Sequence, residues 1–355
     1  MSAAKYSPEL DGLRGISILA VLVTHYGLGI SFGGKFGVTL FFFISGLLIT
    51  RLLINEFNAT KTLDLGLFYI RRMLRLFPTL LLMIIITAII AVAMGCSLSP
   101  LEAFSSLFYF INYYMAFFRV SETNCSAMLD PLWSLSVEEH FYLVYPLVFW
   151  AVYKWGKNLL AILGCLVLVA LAIRLSTCFF SDLGHLEIDK TNYILTHTRF
   201  DSILYGCMVA LILDSKHKKK FLSLVSNPWL FFGAIVALYA SFKIEHFYFH
   251  AAWQYTVQGI CISIIIPPLV EETNYRKFAG VLRIKALVLI GKMSYSLYLF
   301  HYLSVIVANN YIGPKSLKPE WLAVAIVPGI LLALMSYYFI EKKLVPLRRK
   351  FGSSM

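Results

Sequence analysis

The sequence predicts an all-α fold, a polytopic transmembrane helix bundle of about ten spans, and three observations carry that prediction. Hydrophobic residues make up 59% of the 355-residue chain and charged residues only 14%, against about 45–50% and 25% in soluble domains. The mean hydropathy of +0.75 excludes a disordered chain, because a segment that stays unfolded needs low hydrophobicity. Apolar runs approaching the ~20 residues of a spanning helix recur along the whole length. No stretch between them could hold a sizeable soluble domain, so one integral membrane domain is expected over residues 1–355.

The runs fall near 14–31, 37–54, 76–95, 138–153, 159–176, 200–214, 228–242, 252–270, 286–307 and 321–340. The first has the look of a secretory signal because Lys5 precedes it. However, Arg14 and His25 interrupt it and no small-residue cleavage pattern appears before the second run, so it reads as a retained span. Phe104 to Phe118 is aromatic but short and carries Ser105, Ser106 and Asn112, which predicts a re-entrant or interfacial segment instead of an eleventh span. Gly37 to Gly46 offers small residues for close helix packing.

Orientation follows from the cationic residues. They concentrate in alternate connections: Arg51, Lys61, Arg71, Arg72 and Arg75; Lys154 and Lys157; Lys216 and Lys218 to Lys220; Arg276, Lys277, Arg283 and Lys285; and Lys342, Lys343 and Arg348 to Lys350. Read as cytoplasmic segments, these place both termini in the cytoplasm and account for the net charge of +12 without a nucleic-acid partner. The longest loops, 96–137 and 177–199, are then extracytoplasmic. The six cysteines show no CxxC spacing, so no metal site is expected, and whether Cys96 and Cys125 pair is left open.

Ionisable groups inside spans are costly and point to function. His25 lies eleven residues after Arg14; at ~100° per residue both occupy one helix face, ~16 Å apart in rise. That puts Arg14 near the cytoplasmic surface and His25 in the middle of the span; the bland alternative is a satisfied core histidine. Arg71, Arg72 and Arg75 precede the third run. They are either topology determinants or, since Arg72 and Arg75 share a face, two guanidinium forks converging with Arg14 on a phosphate-bearing ligand. Glu138, Glu139 and His140 enter the fourth run at its outer end, where they either solvate a helix N-terminus or line a polar cavity. An ion pair between Arg199 and Asp201 would hold a helix end, and His301, beside Tyr298 and Tyr302, reads as structural or cavity-lining.

These segments together resemble acyltransferase family three, the bacterial polytopic acyltransferases. The resemblance is carried by Asp11-Gly-Leu-Arg14-Gly followed by His25, by Gly37 to Gly46, and by Arg71-Arg72-Met-Leu-Arg75-Leu-Phe-Pro78. Leu132-Trp133-Ser134-Leu-Ser-Val-Glu138-Glu139-His-Phe-Tyr142, Arg199-Phe-Asp201 with Gly206, and Gly291-Lys-Met-Ser294-Tyr295-Ser-Leu-Tyr298-Leu-Phe-His301 complete the ordered set. One departure is His140, where the family commonly has Gln.

The resemblance implies an O-acyltransferase of the bacterial cytoplasmic membrane. It would move an acyl group, most often acetyl, from cytoplasmic acyl-coenzyme A to a hydroxyl of an extracytoplasmic or lipid-linked glycan. It also implies donor contacts from Arg14, Arg72 and Arg75, catalytic roles for His25, Glu138 and Glu139, and substrate contacts from Trp133, Ser134 and Tyr142. Acetyl-coenzyme A enters as a substrate, with no permanently bound cofactor. The chain's end soon after Arg349 points to the stand-alone form. His25 would act as general base or as nucleophile, with a glutamate from the outer side orienting or charging it and sharing a cavity with it. The rival reading is a transporter or flippase of a lipid-linked saccharide; against it, no Gly/Pro-interrupted spans recur in corresponding halves.

Overall fold

The computed structural model describes residues 7–28, 33–119, 124–155, 158–271 and 275–351. Among these there is no strand; the helices in chain order are α1 (Pro8–His25), α2 (Gly33–Thr60), α3 (Leu65–Ala93), α4 (Pro100–Leu107), α5 (Ile111–Phe117) and α6 (Asn124–Ala127). There follow α7 (Leu132–Lys154), α8 (Leu159–Phe180), α9 (His185–Ile194), α10 (Thr196–Asp214), α11 (Lys218–Val225) and α12 (Pro228–Ser241). The chain closes with α13 (Gln254–Val270), α14 (Arg276–Leu282), α15 (Lys285–Lys292), α16 (Ser294–Tyr311), α17 (Pro319–Ser336) and α18 (Lys342–Lys350). The end of the first predicted run, 29–31, and the orienting residues Lys5 and Lys157 lie outside the described residues.

Every predicted run falls on helix, with informative differences. Pro8 at the first turn starts α1 earlier than its apolar run. The acidic residues there are tolerated because Glu9 is paired with Arg283 at 2.5 Å. This shift makes His25 the last residue of α1, not its middle. The aromatic stretch at 104–118 breaks into α4 and α5 around Tyr109, which has φ 62°. At ~1.5 Å per residue each piece is far too short to span. The ninth run is split at Met293 into α15 and α16.

Among the described residues five helices are long and apolar enough to cross a membrane: α2, α3, α8, α13 with the π-helical turn Phe249–Trp253 before it, and the segment from α17 through α18. The bent pair α11 and α12 gives a sixth if it acts as one span. By contrast, α1, α7, α10 and α16 do not pass that test, and they carry Arg14, Glu138, Glu139, Arg199, Asp201 and His301. They can hold polar groups because they face inward. The α2 window is 72% buried, whereas α3 and α8 are 33% and the α17 segment 22% buried, with Ile89, Val92, Leu168 and Met335 exposed on their outer faces. Lipid-compatible helices thus surround a more polar inner set.

Close backbone contacts fix the register of that set. A Cβ on Gly33 would stand 2.9 Å from the Ala20 carbonyl oxygen and one on Gly37 2.5 Å from that of Ser17, so α2 runs antiparallel to α1. Gly46 and Gly206 cross in direct contact: a Cβ on Gly206 would meet the Phe43 oxygen at 2.0 Å, and one on Gly46 the Ile203 oxygen at 2.0 Å. At this crossing the absence of a side chain lets two backbones touch. Thr39 pairs with Arg199 and Thr50 with Tyr145, so α2, α7 and α10 run side by side in one direction.

Gly206→Ala is expected to lower stability by about 3 kcal/mol through overpacking against backbone that cannot yield. Gly233→Ala, where a Cβ meets nothing within 4 Å, is expected to change stability by less than about 0.5 kcal/mol. Thermal unfolding of the purified protein in detergent compares the two.

Candidate active site

Two polar clusters lie along α1 and α16, which are parallel and touch at two heights. At the lower height Arg14 Nη2 donates to Ser294 Oγ at 3.1 Å. At the upper height His25 Nδ1 faces His301 Nε2 at 2.7 Å, with their rings stacked 14° from parallel. Ser294 and His301 are seven residues apart, two helical turns and ~10 Å of rise, so both present the same face of α16.

The lower cluster gathers the predicted arginines and, against expectation, the glutamates. Arg72 Nε lies 3.1 Å from Glu139 Oε1 and its Nη2 lies 3.7 Å from Glu138 Oε2. Its guanidinium also covers the Tyr142 ring at 3.2 Å. Glu138 accepts a hydrogen bond from Ser45 at 2.9 Å. The two carboxylates therefore do not open a vestibule on the side opposite the arginines, and neither is the hydrogen-bonding partner of His25. The physical reason is the cost of burying either charge alone: α3 and α7 run antiparallel, which brings Arg72 level with Glu139, and the ion pair forms where the helices meet.

The C-terminal segment completes this cluster. The π-helical turn Tyr337–Glu341 swings Glu341 onto the Ser296 hydroxyl. Arg348 comes within electrostatic reach of Arg75, and the Phe351 carbonyl accepts from Arg71 at 2.9 Å. Arg75 has Arg14, Arg72 and Arg348 as cationic neighbours and Glu139 and Glu341 within electrostatic reach, but it makes no direct ion pair among the described residues. Arg14, Arg72, Arg75 and Arg348 face the carboxylates of Glu138, Glu139 and Glu341, an excess of one positive charge, which suits a phosphate-bearing ligand.

At the upper cluster His25 is half-buried and His301 is 1% exposed. The Nδ1 of His301 sits 2.8 Å from the Tyr298 carbonyl and 3.1 Å from that of Leu297. Carbonyls accept only, so that nitrogen carries the proton and Nε2 of the neutral ring is an acceptor. His25 Nδ1 then donates to it, leaving the lone pair on His25 Nε2. Beside it Lys315 donates to the Thr24 carbonyl at 2.8 Å, capping the C-terminal end of α1. Tyr298 reaches the predicted acceptor residues: its hydroxyl lies 2.6 Å from Ser134 Oγ. Trp133 packs on Tyr193, with ring centroids 4.4 Å apart. Tyr142, expected beside them, belongs instead to the arginine cluster.

The predicted Arg199–Asp201 pair is replaced. Asp201 takes Arg174 of α8 at 2.8 Å, and Arg199 bonds Thr39 at 3.0 Å. His140 bonds Thr196 at 2.7 Å. Between α3 and α7, Cys96 and Cys125 of α6 form a disulfide, and Arg119 contacts buried Glu102 of α4 and part-exposed Asp130, each at 2.6 Å. Burial would pull the Arg119 guanidinium's pKa down, but the charges and hydrogen bonds of Asp130 and Glu102 more than offset it and leave it raised. Among the described residues no group of His, Cys, Asp or Glu is arranged to hold a metal.

Arg72→Ala is expected to cost about 3–5 kcal/mol, because it strands two part-buried carboxylates. Adding Glu138→Gln and Glu139→Gln to that variant is expected to recover most of the loss, since neutral amides need no counter-charge. Thermal unfolding of the single and triple variants reads the difference.

The family described as "Acyltransferase domain" matches residues 7–338. Over 364 residues the chain is 31% identical to the "O-acetyltransferase OatA" of Staphylococcus aureus, covering 99% of this chain and 58% of that protein. It is 29% identical over 358 residues to the "Peptidoglycan O-acetyltransferase OatA" of Listeria monocytogenes, covering 97% of this chain and 56% of that protein. Against the "Putative peptidoglycan O-acetyltransferase YrhL" of Bacillus subtilis it is 30% identical over 356 residues, covering 95% of this chain and 55% of that protein. The chain thus spans somewhat over half the length of the curated relatives it matches. No solved structure matches it.

Proposed function

The chain belongs to acyltransferase family three, and from that membership we propose that it is a membrane O-acetyltransferase that moves acetyl from cytoplasmic acetyl-coenzyme A to a hydroxyl of an extracytoplasmic glycan. Relatives named for peptidoglycan O-acetylation favour a glycan acceptor. The observation that carries the reading is the 2.7 Å contact of His25 with His301, set a fixed distance above a cluster of arginines. The cationic connections favour ten spans with both termini in the cytoplasm. The arginine cluster then faces the donor's side and His25 the acceptor's.

In this reading Arg14, Arg75 and Arg348 hold the coenzyme A phosphates, and Arg72, braced by Glu138 and Glu139, forms the wall beside them. The ~16 Å of rise from Arg14 to His25 suits an extended pantetheine arm. The thioester arrives at His25 Nε2, which removes the proton of the acceptor hydroxyl as its oxygen attacks the thioester carbonyl. The carbon–sulfur bond breaks and the proton passes to the departing thiolate, leaving an acetyl ester and free coenzyme A. His301 fixes the tautomer that makes Nε2 the base. Tyr298, Ser134 and Trp133 flank the acceptor. The residue roles here rest on geometry and chemistry: His25 is the catalytic group, whereas the glutamates act through Arg72.

Purified protein supplied with isotopically labelled acetyl-coenzyme A and a peptidoglycan-type glycan is expected to yield labelled, base-labile glycan ester by mass spectrometry. His25→Ala is expected to lower transfer by at least about 10²-fold while the protein stays folded. Activity near the wild-type value would reject His25 as base. His301→Gln, whose amide oxygen also accepts from His25 Nδ1, is expected to keep far more activity than His301→Phe. Equal loss in both would reject the tautomer argument.

Replacing Arg14 and Arg75 together with Gln is expected to raise the KM for acetyl-coenzyme A by tens of fold or more. Each charge-assisted hydrogen bond lost costs roughly 1.5–3 kcal/mol. Steady-state kinetics at saturating acceptor measure it, and an unchanged donor KM would return these arginines to a purely topological role.

A further inference from the structure

A second buried cationic site lies apart from the arginine cluster, and the reaction proposed above does not use it. Arg199 is fully buried, and its Nη2 donates to Thr39, yet its Nε and Nη1 have no acceptor among the described residues. Around it the hydroxyl of buried Tyr255 and one carboxylate oxygen of Asp189, Oδ1, are likewise without partners. The guanidinium lies 3.7 Å over the Tyr255 ring, with Tyr193 and Phe42 at 5.5 and 5.6 Å. Buried polar groups are nearly always satisfied, so such a concentration asks for a missing partner.

Charge bookkeeping says what kind. Arg174, Arg199 and Asp201 are all fully buried. Asp201 is engaged by Arg174 at 2.8 Å, and Arg174 also donates to the carbonyls of Ala252 and Thr198 and to the Thr256 hydroxyl. Arg199 therefore makes no direct ion pair among the described residues: Asp201 acts on it only at a distance, and Asp189 is paired with Lys35. An aromatic face offsets only part of the cost of burying such a charge. An anion brought by a ligand would supply the rest.

The surroundings of Arg199 are aromatic, the side-chain type that packs on the apolar face of a sugar. Trp133 packs against Tyr193 and stands edge-on to Phe42 at 6.1 Å. Nearer the surface the Lys35–Asp189 ion pair, 2.8 Å long and part-exposed, lies beside Tyr193, with Lys35 5.0 Å from its ring. From Trp133 the chain of contacts runs through the neighbouring Ser134 to Tyr298, and Tyr298 to His301 is 5.7 Å between ring centroids. A short relay of neighbouring side chains thus links the surroundings of Arg199 to His301, the partner of His25.

We propose that Arg199, with Tyr193, Tyr255 and Trp133, forms an acceptor subsite that grips a carboxylate-bearing sugar of the glycan. This deepens the acyltransferase reading and rests on it for the identity of the glycan as acceptor. The carboxylate compensates Arg199, the aromatic rings cover the apolar faces of the sugar, and the neighbouring sugar's hydroxyl is directed toward His25.

The test is a binding titration without donor, using the whole protein in detergent micelles. The probes are a disaccharide of N-acetylglucosamine and N-acetylmuramic acid with its lactyl carboxylate free, and the same disaccharide with that carboxyl reduced to an alcohol. Wild-type protein is expected to bind the carboxylate form at least about tenfold more tightly, as loss of a charge-assisted hydrogen bond in a buried site requires. Arg199→Gln is expected to bring the two forms within about twofold of each other, and Arg199→Lys, which keeps the charge, to retain part of the preference. Equal binding of the two forms by wild-type protein, or binding of neither, overturns the subsite even if no variant folds. So does a preference that survives in Arg199→Gln. Because no donor is present, this result is independent of the transfer assay described above: selective binding here with no labelled ester in that assay would reject the reaction and leave the subsite. Transfer without carboxylate selectivity would do the reverse.

Discussion

The ion pairing of Arg72 with Glu138 and Glu139 is the contact on which the inner bundle depends. One guanidinium engages two carboxylates of α7, covers Tyr142, and through the Ser45 bond to Glu138 reaches α2. Three helices are thereby held at one height by groups that none of them could bury alone. A charge in an apolar interior is tolerated only with a counter-charge and further hydrogen bonds. Satisfying Arg72 therefore determines the relative heights of α2, α3 and α7. The glycine crossings then set how near the backbones come, so electrostatics fixes the register and absent side chains fix the distance.

The same constraint divides the helices into two kinds. Those that pass as spans on hydropathy alone include α3, α8 and the α17 segment, whose outer faces are exposed and apolar. The helices too polar to pass, α1, α7, α10 and α16, carry most of both clusters. An inner helix needs no apolar surface for lipid, so its composition is free to serve chemistry. It is α2, the most buried of the apolar candidates, that touches both the arginine cluster through Ser45 and the Arg199 site through Thr39.

Much of this was legible in the sequence. Helix class and the positions of the apolar runs follow from composition and periodicity, and Arg14, His25, Arg72 and Arg75 stood out because a charge or imidazole in such a run needs a reason. What was not legible were the partners. His301 lies 276 residues from His25, and nothing local distinguishes it from a buried structural histidine. Asp201 is two residues from Arg199, yet in α10 residues that far apart point to different faces, and Arg174 of α8 takes the carboxylate instead. Glu138 and Glu139 were placed by their distance from a helix start, whereas antiparallel packing of α3 against α7 decides what they meet. Arg348 read only as part of the basic segment after the last run, and Glu341 was not singled out; the π-helical turn before α18 brings both onto the arginine cluster.

The two heights on α16 bear on why this arrangement suits chemistry across a membrane. Ser294 and His301 are fixed two turns apart on one rigid helix, and each is tied to α1, so the separation of donor site and base is a property of helix geometry, not of loops. In the proposed reaction the group that travels this distance is a slender arm with few polar atoms. The sugar, whose many hydroxyls would each cost of order 1–3 kcal/mol to bury unpaired, stays at its own end. Burying the arm requires only that its few polar groups find partners. Fixing the base at the acceptor end and the guanidiniums lower down thus assigns each substrate the depth at which its own desolvation is cheapest, and leaves the uncharged acetyl group as the one part that must pass between them.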